Sequence, residues 1–200
     1  MPRPAAEVRR VIKAYDVRGL VGVELDEGFV ADVGAAFARV LRDENHRDES
    51  HRDDDAIRVA IGHDMRASSP SLAAAFAEGV TGQGLDVVRI GLASTDQLYF
   101  ASGLLNCPGA MFTASHNPAA YNGIKLCRAQ AKPVGEDSGL AGIRDDIIAG
   151  VPAYGGPRGQ IHDQDVLADY SKFLRSLVDV SSLRPLRAVS YTHLTLPTKA

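Results

Sequence analysis

The sequence predicts a layered α/β/α domain on a mixed, mostly parallel sheet, followed by the start of a second, similar domain. Three observations carry this. Strand-like and helix-like apolar patterns alternate along the chain, and the segments between successive strands are long enough to hold crossover helices. With 200 residues, 45% of them hydrophobic, there is material for one well-buried domain or for one plus part of another.

Residues 11–17 read as a first extended segment. Apolar residues then recur at helical spacing through Phe29, Val33, Ala36, Phe37, Val40 and Leu41, which predicts a helix over 27–42. From Asp43 to Asp55 there is no apolar residue, and His-Arg-Asp occurs twice, so this stretch reads as a solvated loop. His46 and His51 are metal-ligating types, but an undirected charge run is the better reading.

The stretch AIRVAIGHD (56–64) predicts a strand that ends in a glycine turn. SSPSLAAAFAEGVTGQG (68–84) predicts a helix with Ser before Pro at its start and Gly at its end. Residues 85–94 read as a second strand and 96–105 as a helix with Leu98, Phe100, Ala101 and Leu104 inward. GAMFTAS (109–115) reads as a third strand, GIKLCRAQ (123–130) as an alternating fourth, and 138–150 as a helix. Five Gly or Pro residues fall between Pro152 and Gly159, a linker composition. Beyond them Val166, Leu167, Tyr170, Phe173, Leu174 and Leu177 line one side of an amphipathic segment, and 183–189 read as extended. The expected organisation is a first domain over 1–152, a linker over 153–159 and the opening of a second domain over 160–188. The tail over 189–200 resembles the translated read-through of a transposon-end adapter from sequencing libraries and is set aside from fold reasoning.

A net charge of −3, from 22 basic and 25 acidic residues, gives no broad electrostatic footprint for nucleic acid or anionic lipid, so a small-molecule partner is expected. Cys107 and Cys127 stand singly, without metal-site or disulfide spacing, and fit buried reduced thiols in a cytoplasmic protein. The N-terminus lacks a signal-peptide core, and no apolar run approaches the ~18–20 residues of a membrane span.

One stretch departs from this bland background. In TASHNPAAYNGIKL (113–126), Ser115 leaves the carboxyl end of the third strand, where open α/β sheets place ligands. Such a serine fits a hydroxyl nucleophile, a phosphorylated side chain or a polar turn without chemistry. A hydrolase elbow needs glycine on both sides of the serine, whereas Ala114 and His116 flank Ser115. An adjacent histidine on an extended chain also rarely faces its neighbour. A phosphoserine makes better sense of Lys125 and Arg18, since a dianionic phosphate needs fixed cations. A non-catalytic sugar-phosphate binding module stays open beside it, because fold alone does not decide function.

This string resembles the phosphoserine loop of the α-D-phosphohexomutase superfamily, its bacterial phosphomannomutase/phosphoglucomutase branch especially. KAYDVRG (13–19), IGHDMRASSP (61–70) and STDQLYFASG (94–103) agree in order; His63 and Asp96 depart from residues common there. The resemblance implies that Ser115 carries a phosphoryl group exchanged with hexose 6-phosphates and 1-phosphates of mannose or glucose, through a sugar bisphosphate. It implies Ser115, His116 and Lys125 as catalytic residues, and Tyr15, Arg18 and Asn117 as substrate-binding ones. Tyr15 and Arg18 are expected to close over the phosphoserine. Asp64 and Arg66 are expected to form a turn and helix-start network. The implied cofactor is Mg²⁺, held through the Ser115 phosphate and by an aspartate-rich loop that has no counterpart in this sequence, so the chain alone is expected to be inactive.

Overall fold

Val59, Ala60, Ile61 and Gly62 are all buried, the mark of a strand covered on both faces. They form the centre of β2 (Arg58–His63) in the computed structural model, which describes residues 2–47, 57–179, 181 and 183–187. His51 and the tail over 189–200 lie outside the described residues. β2 is flanked in parallel by β3 (Asp86–Leu92) and β4 (Gly109–Phe112), and the helices α3 (Ser69–Gly82) and α4 (Thr95–Leu104) supply the crossovers. The connection after β4, over 113–120, is shorter than the dozen or so residues that a parallel crossover needs. β5 (Tyr121–Arg128) therefore returns antiparallel beside β4. β1 (Val17–Leu20) and β6 (Lys132–Pro133) pair antiparallel with β5, and β7 (Ile161–Asp163) pairs parallel with β3. The order is β1-β5-β4-β2-β3-β7, and β5 alone runs against the rest: a mixed, mostly parallel sheet, as the sequence predicts.

Helices cover both faces. On one side α2 (Glu27–Arg47), α3 and α5 (Leu140–Ala149) build the larger core, in which Phe76 meets Phe37 at 6.2 Å and Phe112 edge-on at 5.5 Å. On the other, α4 packs Leu98 and Ala101 against Ala60, Ile90, Met111 and Val166. α2 and α3 approach closely because a glycine sits on each: a Cβ at Gly79 would lie 2.0 Å from the Ala31 carbonyl oxygen, and one at Gly34 would lie 2.4 Å from that of Phe76. Both cysteines are buried and free, and burial pushes both thiols up. Among the described residues no helix is long and apolar enough to cross a membrane.

Several local expectations are corrected. The chain opens on a short helix, α1 (Ala5–Val11), burying Val8 and Val11; two apolar residues in under two turns leave no period to read. α2 continues through residues 43–47, expected as loop, and the carboxylate of its Glu44 pairs with Arg128 on β5. Leu104, expected inward on α4, is 49% exposed; Gln97 and Ser102 are buried instead. Ser102 holds its place by donating to the Cys107 carbonyl at 2.7 Å and accepting from the Ala131 amide at 3.0 Å.

The glycine- and proline-rich stretch before β7 lies against α2 and the end of α3. Gln83 donates to the Pro152 carbonyl at 2.8 Å, Arg42 stacks over Tyr154 at 4.4 Å, and the Gly159 amide donates to the Thr81 carbonyl at 2.9 Å. α6 (Leu167–Ser176) follows and sets Tyr170 and Phe173 against Phe100 of α4.

The glycine contact between α2 and α3 makes a direct prediction. Gly79→Ala forces a methyl into the Ala31 carbonyl and is expected to lower unfolding free energy by about 1–3 kcal/mol, read as a lower midpoint in chemical denaturation. An unchanged midpoint would refute this packing.

Candidate active site

β4 ends at Phe112, whose carbonyl accepts from the Asp64 amide at 2.9 Å, so the carboxyl ends of β2 and β4 are tied side by side. Beyond it the Thr113 amide donates to the Gly123 carbonyl at 3.0 Å, and the Ser115 amide to the Thr113 hydroxyl oxygen at 3.0 Å. Ala114 is buried; Ser115 is exposed and adopts φ +54°, a left-handed conformation that a residue with a Cβ enters only when its surroundings impose it. The loop then closes in turns, with the Asn117 amide donating to the Ala114 carbonyl and the Tyr121 amide to that of Pro118, both at 3.0 Å.

Arg66 imposes that path. It leaves the turn after β2 with its side chain 12% exposed, and its guanidinium reaches under the serine loop. Nη2 donates to the carbonyls of Ser115 and Asn117, both at 2.8 Å. Nη1 donates to those of Pro118 at 2.9 Å and Tyr121 at 3.1 Å. Nε donates to Asp64 Oδ2 at 3.2 Å, while the Arg66 amide and the Ser69 hydroxyl donate to Asp64 Oδ1 at 3.0 and 2.7 Å. Burial works to raise the Asp64 carboxyl, but the Ser69 and Arg66 amide hydrogen bonds, a contribution from Thr113 and the Arg66 charge outweigh it. The carboxyl is held below its ordinary range.

Asn122 completes the frame. Fully buried, it donates from Nδ2 to the Ser68 and Ser69 hydroxyl oxygens, both at 2.9 Å, and accepts from the Gly123 amide at 2.8 Å. Gly123 has to be glycine, since a Cβ there would lie 2.5 Å from the Val17 carbonyl oxygen and 3.0 Å from that of Thr113. The expected Asp64–Arg66 turn and helix-start network is present, and it extends across to the serine loop. The sequence reading missed that reach, and with it Asn122, because Arg66 grips main-chain oxygens about fifty residues away.

The structure brings some of the expected residues together. Arg18 donates to Asn117 Oδ1 at 3.2 Å and to Asp16 Oδ2, joining β1 to the loop, and its Nε has no hydrogen-bond partner among the described residues. His116 Nδ1 lies 3.4 Å from Ser115 Oγ, against the expectation that adjacent side chains point apart; the left-handed turn at Ser115 bends the chain that the expectation took as extended. Among the described residues no carboxylate hydrogen-bonds His116, so the third member of a hydrolase triad is lacking. Lys125 pairs with Met111 and so lies on the sheet face that α4 covers, with no ion pair among the described residues. Tyr15 precedes β1, at the end of that strand away from Tyr121, and is 84% exposed with its ring toward Gly135; among the described residues its side chain makes no hydrogen bond to the serine loop.

Among the described residues no group of three or more His, Cys, Asp or Glu could hold a metal ion. Asp64 and Asp16 are committed to Arg66 and Arg18. A hard cation needs several converging oxygens, and these residues alone do not supply them.

Residues 9–150 match the family model described as phosphoglucomutase/phosphomannomutase, alpha/beta/alpha domain I. A relative named phosphohexose mutases, from Xanthomonas campestris pv. campestris (strain B100), is 40% identical over 178 residues, covering 88% of this chain and 37% of its own length. The phosphomannomutase of Escherichia coli (strain K12) is 33% identical over 180 residues with the same coverage, 88% and 37%. A crystal structure of a phosphoglucomutase/phosphomannomutase family protein from Burkholderia thailandensis aligns with TM-score 0.72 and 26% identity, over 88% of this chain and 36% of that one. The chain thus spans 37% of the length of the curated relatives it matches.

The depressed Asp64 carboxyl fixes an acid dependence. A group whose folded pKa is lowered contributes stability above its unfolded value and loses it as pH falls through the folded one. Amide-exchange protection over 115–121 is expected to hold down to about pH 5 and to fall below the ordinary carboxylate value of 3.8. Asp64→Asn is expected to remove that acid-dependent part; an unaltered pH profile in the variant would contradict it.

Proposed function

This chain belongs to the phosphoglucomutase/phosphomannomutase family through its alpha/beta/alpha domain I, and from that premise we propose that Ser115 carries the phosphoryl group that a hexose-phosphate mutase exchanges with its substrate. What supports the reading is one observation: an exposed serine at the carboxyl end of β4, whose backbone is held in a left-handed turn by a partly buried guanidinium. In the proposed cycle a sugar hydroxyl attacks phosphorus and forms the new phosphorus–oxygen bond as the phosphorus–Oγ bond breaks; the sugar hydroxyl's proton leaves to a nearby base, and Ser115 Oγ takes up a proton to become the free hydroxyl. The resulting hexose bisphosphate turns within the site and returns its other phosphoryl group to Ser115, so mannose or glucose 6-phosphate and 1-phosphate interconvert without net loss of phosphate.

Phosphoryl transfer asks mainly for in-line placement and charge neutralisation. Arg18 suits the second task, since Asn117 and Asp16 orient its fork while each terminal nitrogen keeps a second N–H without a partner among the described residues. Lys125, without an ion pair among the described residues, is assigned to the charge of the transferring group. His116, 3.4 Å from Oγ, is assigned to the proton. Asn117 steadies Arg18 and can meet a sugar hydroxyl. Tyr15, exposed ahead of β1, is assigned to substrate binding. Mg²⁺ belongs to the reading of the whole mutase, and no step assigned here runs through it. The substrates assigned are hexose phosphates, with neither nucleic acid nor membrane as partner, and the setting assigned is the cytoplasm.

Grafting residues 9–150 in place of the matching domain of the Escherichia coli phosphomannomutase is expected to preserve turnover of mannose phosphates. Ser115→Ala in that graft is expected to cut kcat by at least about 10³-fold, with loss of phosphate from the Ser115 peptide in mass spectrometry. A graft that folds by circular dichroism and keeps its turnover without Ser115 sinks the assignment. The chain on its own is expected to give no measurable turnover of mannose or glucose phosphates.

A further inference from the structure

We propose that Arg66 is a positioning residue for the serine loop: it sets the direction of Ser115 Oγ and never binds the transferred phosphate. Its meaning for catalysis rests on the reading of Ser115 as phosphoryl carrier, whereas its structural content rests on geometry alone. A guanidinium has five N–H donors in a planar fork. In Arg66 one goes to Asp64 and the other four go one each to the carbonyls of Ser115, Asn117, Pro118 and Tyr121. No donor is left for an anion. An arginine beside a proposed phosphate site invites assignment as a phosphate ligand, and this one is already saturated by the main chain.

The saturation does specific work. Four carbonyl dipoles with their negative ends turned toward one point repel each other, and a left-handed serine is unfavourable by itself. A partly buried, planar cation answers both problems, since it draws the oxygens together and binds them only where the fork points. Asp64 in turn fixes the fork, through Nε and through the turn closed by the Arg66 amide. Because Asp64 also takes the Ser69 hydroxyl at the first turn of α3, the loop's path is referred to the sheet and helix and not to solvent. A lysine in this place brings the charge but only three donors on a rotating head. It cannot serve four carbonyls and a carboxylate, so charge and geometry can be tested apart.

The test is amide hydrogen exchange, resolved by residue, on the full chain. In the native protein the Asn117 and Tyr121 amides are expected to be protected although their loop lies at the surface. Exchange at the rate of unstructured chain there would overturn the proposal with no variant needed. In Arg66→Lys those amides are expected to exchange at least about tenfold faster while amides of α2 and β3 keep their rates. Unchanged loop protection would mean that charge alone suffices, and uniform loss across the sheet would mean that Arg66 only supports the fold; either result overturns positioning. Ser115→Ala is expected to leave loop protection intact, because Arg66 holds carbonyls and not the hydroxyl. Loss of loop protection in that variant would also count against the proposal. In the grafted mutase Arg66→Lys is expected to lower kcat at least about tenfold with KM held; a raised KM at full kcat would make Arg66 a binding group and overturn it. If the Ser115→Ala graft stays active, the phosphoryl reading fails while the exchange results stand, so the two failures are distinguishable.

Discussion

Everything at the candidate site depends on one cation enclosed by main-chain oxygens. A guanidinium largely shielded from water is costly without partners, and a cluster of converging carbonyls without a donor is costly too; each offsets the other's cost. Arg66 and the loop over 115–121 settle both requirements at once. The serine that results is exposed and yet fixed, which is what phosphoryl transfer asks of its carrier, since small errors of placement cost rate steeply.

The sheet provides the place for this arrangement. The connection from β4 to β5 is too short to cross over, so it turns back as a loop at the carboxyl edge, and β5 becomes the single reversed strand. That reversal lays Tyr121, Asn122 and Gly123 beside the ends of β1 and β4. Asn122 then reaches the first turn of α3, and Gly123 lets the neighbouring backbones close on it. Behind the loop Phe112 is seated on Phe76, so the strand that presents the serine is anchored in the larger core.

The cations around the loop divide their tasks by what already occupies their donors. Arg66 is spent on backbone and Asp64; Arg18 is steered by Asn117 and Asp16 and keeps a second N–H on each terminal nitrogen; Lys125 has no ion pair among the described residues. That division, more than the number of positive charges, supports assigning Arg18 and Lys125 to substrate and Arg66 to architecture. The family match covers residues 9–150, and the chain spans 37% of the length of the curated relatives it matches.

The sequence by itself determined what depends on side-chain order. Apolar runs and helical spacing gave the α/β alternation, and the polar string at 113–126, with three shorter ones in order, marked the serine loop and its strand-end position. Tertiary structure alone decided what depends on backbone. Carbonyl oxygens are the same at every residue, so nothing local tells which arginine will gather those of 115, 117, 118 and 121. The left-handed turn that brings His116 toward Ser115 follows from that same grip, and the docking of β7 on β3 follows from strand pairing, a long-range property that periodicity does not encode. Short or polar elements, α1 and the end of α2, escaped for the converse reason: they hold by contacts across the fold and carry too few apolar residues to show a period.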